Sequence, residues 1–105
     1  MQDRDLDLPR RTVSLDEIDA AVARHYSVYQ RLHSAHSRSR RVGAAKAAAV
    51  ELAAQLADIS NRAIGEHYRV GATAVGANRR RLVSRPDVLK VVETLSRRLR
   101  KKKSR

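Results

Sequence analysis

Apolar side chains recur along this chain at helical spacing, in stretches separated by capping and turn residues. In the first, Leu15, Ile18, Val22 and Tyr26 fall at i, i+3, i+7 and i+11, one face of a helix. Ser14 and Glu17 supply the S-x-x-E capping box in front of it. Asp16, Glu17 and Asp19 crowd the positive end of its dipole. Val28 and Leu32 predict one further turn over Tyr29–His33. The strongest helix is Ala44–Ala57, rich in alanine, the best helix former. Its Ala45, Ala48, Ala49, Leu52 and Leu56 share one continuous face on which another helix can lie close, so it reads as a central strut. Val88, Val91, Val92, Leu95 and Leu99 form a last stripe after Pro86 and Asp87, which mark a helix start. That stripe must cover either the preceding helices or a second copy of the chain, a homodimer through residues 86–99.

Between these lies Ser60–Val83, which the pattern divides into two short helices around a tight turn. Ile64 and Tyr68 pair at i, i+4 after Ser60, a capping residue. Gly71 stands where such a turn needs a residue tolerant of positive φ, and Thr73 opens the second helix. Val75 and Leu82 point inward on it, with Asn78 and Arg79 at the margin of their stripe. Ala74, Gly76, Ala77, Arg80 and Arg81 are left facing outward. A helix with small residues and arginines outside suits a DNA major groove, where small side chains permit close approach and arginine forks onto guanine or phosphate. An ordinary solvated helix of a basic bundle has the same composition.

Composition sharpens the picture. The chain has 105 residues, enough for one domain, with no Phe, Trp or Cys and three Tyr. Its core must therefore be thin and aliphatic, and disulfides and cysteine-ligated zinc are excluded. The net charge is +12, unevenly placed. Residues 1–20 carry six acids against three arginines, and the remainder twenty Lys and Arg against five acids. Such asymmetry asks for a polyanion. Residues 1–12 read as a flexible leader, 13–96 as a helical domain with a helix-turn-helix at 60–83, and 97–105 as a basic tail with seven basic groups in nine. The tail, including Lys101, Lys102 and Lys103, suits sequence-blind attraction to phosphates. The first residues hold no apolar core, and no apolar run approaches the roughly 20 residues that span a bilayer. The expectation is a soluble cytoplasmic protein, at the nucleoid if it binds DNA.

The segment from Ser37 to Gly43 alternates serine with Arg38, Arg40 and Arg41 and reads as a basic loop closed by Gly43. Its hydroxyls and guanidiniums suit successive phosphates or a minor groove; a plain solvated loop would look the same. Lys46, just beyond, and Arg62, on the first helix of the pair, are further contact candidates. His33 and His36 are three apart but lack a cysteine or carboxylate to complete a metal site, and His25 and His67 show no partner. No paired carboxylates, nucleophile–base pair or ligand cluster marks an enzyme, and no cofactor is implied.

The order of capped helix, R-S-R loop, Ala/Leu-rich helix, S-x-x-x-I-G, turn and T-x-V resembles the C-terminal DNA-binding domain of the bacterial replication initiator DnaA. Ser37–Arg40 and Ser60–Gly65 carry most of the likeness, which covers Val13–Val83. Residues from Thr73 to Leu95 also look like the DnaA-related helix-turn-helix of some REP-associated transposases. The resemblance implies a Trp-repressor-like helix-turn-helix fold. It implies that Arg38 matches a minor-groove arginine, Ser39 and Lys46 match phosphate contacts, and Thr73 matches a base-contacting threonine. The family's G-G-R-D-H-T-T-V is one residue shorter here and lacks its Asp-His pair. No G-x-x-x-x-G-K-[ST] loop accompanies it.

The expectation is thus an all-α small helical bundle that binds double-stranded DNA. Thr73, Ala74, Ala77, Arg80 and Arg81 face bases and phosphates, and Arg38, Ser39, Arg40 and Arg41 face the adjacent backbone. The role would be that of a transcriptional regulator or a replication- or nucleoid-associated factor. A ribosome-associated RNA-binding protein would show the same basic helical surface, although the scarcity of aromatics disfavours single-strand stacking. A protein–protein adaptor using 86–99 is a third class.

Overall fold

A computed structural model describes residues 12–28 and 40–101. Among them every regular element is helical: α1 (Leu15–Tyr26), α2 (Arg40–Leu56), α3 (Asn61–Tyr68), α4 (Ala72–Leu82) and α5 (Pro86–Lys101). The expected all-α bundle is what forms.

The capping box of α1 is present: the Glu17 amide donates to Ser14 Oγ at 3.2 Å and the Ser14 amide to Glu17 Oε1 at 3.2 Å. At its other end Ser27 adopts the left-handed conformation (φ 56°), and the Val28 amide reaches back to the Ala23 carbonyl at 3.0 Å. This is the six-to-one bond of a Schellman ending, closed by apolar contact, and it explains why Val28 is buried. The predicted extra turn at Tyr29–His33 lies outside the described residues.

Helix α2 is the hub, packed against all four other helices. Its alanine face is buried as the pattern required, from Ala45 through Leu56. It begins four residues before the predicted start. Arg40, Arg41 and Gly43, expected in a loop, are helical. Val42 is buried beside them, so the serine–arginine alternation concealed a first turn that one valine ties to the core.

The α5 stripe is covered within a single chain. Val88, Val92, Leu95 and Leu99 are buried against α2, α1 and α4, with only Leu89 and Val91 half-buried at its edge. The apolar surface that suggested a dimer through 86–99 therefore completes the core. The basic run expected to leave the fold at residue 97 stays helical through Lys101. No described helix is long and apolar enough to cross a membrane.

Candidate nucleic-acid interface

Helices α3 and α4 are joined by three residues, Arg69–Gly71. Ser60 caps α3, its Oγ accepting from the Ala63 amide at 3.1 Å, and Ile64 and Tyr68 are fully buried. The left-handed residue of the turn is Arg69 (φ 61°), not Gly71, which has φ −71° and caps α4. The reason is the closing bond. The residue after Tyr68 must turn left-handed so that the next amide, that of Val70, reaches the Gly65 carbonyl at 2.8 Å. Gly65 is glycine for close approach instead. A Cβ there would lie 2.5 Å from the Val70 carbonyl oxygen and 3.3 Å from the Ala72 amide.

Helix α4 presents the face the pattern predicted. Val75 and Leu82 are buried, Thr73, Gly76, Arg80 and Arg81 are exposed, and Ala74 and Ala77 are half-buried. It begins at Ala72, one residue before Thr73. Its inner margin holds polar anchors that periodicity alone did not assign. Asn78 Nδ2 donates to the Ala47 carbonyl at 3.0 Å. Arg79 donates through Nε to both Glu51 carboxylate oxygens, at 3.3 and 3.1 Å, and its terminal nitrogen lies 3.1 Å from Oε2. Gln55 Nε2 adds a 2.7 Å bond to the same carboxylate. The Glu51 side chain is only 6% exposed, whereas that of Arg79 is 63% exposed. The arginine thus compensates a buried charge on α2 that would otherwise be costly.

A second polar link was also missed. Asp19 of α1 accepts from the Tyr68 hydroxyl and lies 2.7 Å from His67 Nε2. His67, which looked partnerless in the sequence, therefore tethers α3 to α1. Burial and the adjacent carboxylate push the Tyr68 phenol well above its ordinary value, because an anion there would be desolvated and would face Asp19.

Several expected contact residues converge. Between the first half of α2 and α4 runs a groove of about 540 Å³ lined by Arg40, Lys46, Ala74 and Arg81, together with Arg85. Lys46 is half-buried. Desolvation, reinforced by the Arg69 charge, holds its ammonium below the usual lysine range. Arg41 is exposed on the first turn of α2. Arg62 lies apart, exposed on α3 in a 3.5 Å pair with Glu66. Lys101 ends α5, beside Gln55 rather than this groove. Arg38, Ser39, Lys102 and Lys103, like His33 and His36, lie outside the described residues.

The chain matches no family model and no curated protein.

Proposed function

We propose that this protein binds double-stranded DNA, with α3, the Arg69–Gly71 turn and α4 acting as a helix-turn-helix whose second helix lies in a major groove. One observation carries the reading. Thr73, Gly76 and Arg80 are exposed along one side of α4, with Ala77 half-buried among them, while Val75, Asn78, Arg79 and Leu82 fix the opposite side to the bundle. Glycine and alanine let a helix approach base edges, and arginine supplies a two-pronged donor for guanine. The cations that flank this side, Arg40, Lys46, Arg81 and Arg85, suit the adjacent phosphates and set register without reading sequence. The resemblance to the DnaA C-terminal domain supports the same assignment. A role in transcription, replication or nucleoid organisation within the cytoplasm follows from it.

Selection from a random duplex pool tests the reading, followed by binding measurements at matched salt on the selected site. Arg80→Ala should cost about 1–3 kcal/mol of affinity and relax the sequence preference, and Arg81→Ala should weaken binding about equally on all sequences. Duplex RNA should compete poorly. Equal competition by RNA would move the protein to the RNA-binding class. Wild-type affinity in both variants would remove α4 from the interface.

A further inference from the structure

We infer that the groove between α2 and α4 is a binding site for a free nucleoside triphosphate. Its rim is cationic: Arg40, Lys46, Arg81 and Arg85. Neither Arg40, Arg81 nor Arg85 makes an ion pair with an acid among the described residues. Burial, and after it the Arg69 charge, holds the Lys46 ammonium below the usual lysine range, and a polyanion bound beside it would favour its charged form. Its floor is different in kind. Val50 and Leu82 are buried and Val70 half-buried beneath the opening. A bare phosphate or sulfate has nothing to place there.

The two halves together call for a polyanion joined to a flat, largely apolar body. Asn78, which also lines the groove, has its amide nitrogen committed to the Ala47 carbonyl. That bond uses the nitrogen and leaves the side-chain oxygen as the group that can accept from an exocyclic amine of a base. A volume of about 540 Å³ falls within the usual range of small-molecule sites, roughly 300–1,000 Å³. Arg40, Lys46, Arg81 and Arg85 also belong to the proposed DNA surface, so nucleotide and duplex would compete for them. The nucleotide site itself does not rest on the DNA reading; only the competition does.

The experiment is calorimetric titration of the full chain with ATP and, separately, with inorganic tripolyphosphate, without magnesium and at physiological ionic strength. ATP is expected to bind about tenfold more tightly than tripolyphosphate, the equivalent of about 1.4 kcal/mol. Arg85→Ala should weaken both. Gly43→Phe should abolish the ATP preference and leave tripolyphosphate binding in place. Gly43 lines the groove and has open space where its Cβ would lie, so the ring can enter without disturbing the helix. Equal affinity for the two ligands, an ATP preference that survives Gly43→Phe, or binding of neither overturns the site. In a parallel arm, ATP should displace a labelled duplex from the wild type. ATP binding without duplex binding sinks the DNA reading alone, and duplex binding without ATP binding sinks this inference alone.

Discussion

Replacing Gly65 by alanine asks whether the approach of α3 to the turn is as close as the structure shows. On an unhindered helix the change should help, because glycine costs about 1 kcal/mol relative to alanine. Gly43 provides that reference on α2, where an added Cβ meets nothing within 4 Å. Gly43→Ala should stabilise by about 0.5–1 kcal/mol. At Gly65 the new methyl would sit 2.5 Å from the Val70 carbonyl oxygen and 3.3 Å from both the Ala72 nitrogen and the Gly71 carbonyl carbon. All three are backbone atoms, so no side chain can swing aside and the turn itself must move. Overpacking of this kind costs typically about 1–3 kcal/mol, and it also lengthens the Val70–Gly65 bond. Set against the propensity gain, and with about 0.5–1 kcal/mol added for the weakened bond, the net loss is about 1–2 kcal/mol. For a domain of this size that lowers Tm by roughly 4–15 °C. Thermal and urea unfolding followed by circular dichroism would read both variants. If Gly65→Ala matched or exceeded the wild type while Gly43→Ala gained as expected, the close approach of α3 to the turn would be refuted.

Three other outcomes follow from the polar contacts. Arg79→Ala strands the buried Glu51 carboxylate with Gln55 alone and should cost about 1–3 kcal/mol in urea unfolding; Glu51→Gln in the same chain should recover part of it, and no recovery would refute the pairing. Tyr68 keeps its proton in the folded state to a pH well above the ordinary tyrosine value of 10.0. Its contribution is therefore complete below pH 10 and lost as pH rises further. Tyr68→Phe should remove that alkaline slope in unfolding free energy, and an unchanged slope would exclude Tyr68 as its source. Arg69→Gly should relieve left-handed strain and raise stability by about 1 kcal/mol while weakening anion binding near Lys46; a loss of stability would count against the strained turn.

The helices were legible where side chains serve the core at regular intervals. The Ser14–Glu17 box, the alanine face of α2 and the stripe from Val88 to Leu99 all follow from residues less than one helix apart. The outer side of α4 could be read for the same reason, since burial of Val75 and Leu82 leaves the other residues outside. Periodicity says which side turns inward but not which polar groups meet across the fold. Glu51 meets Arg79 at a separation of 28 residues, and Asp19 meets His67 at 48. Neither pairing leaves a local trace. The early start of α2 was hidden because Ser37–Arg41 offers no apolar repeat, only Val42. The turn misled for a different reason: glycine at position 71 suggested the left-handed site, while the bond to Gly65 required it at 69.

The buried carboxylate of Glu51 has a geometric effect beyond its charge. Gripped at Asn78 and Arg79 together, α4 cannot roll on its own axis. Successive residues on a helix are offset by about 100°, so slipping this rod by one position would bring Arg80 to the place of Arg79 beside Glu51 and turn Arg81 to where Arg80 now faces outward. A single acid on the neighbouring strut thereby acts as a key in a keyway: it sets the angular phase at which the outer side chains are presented.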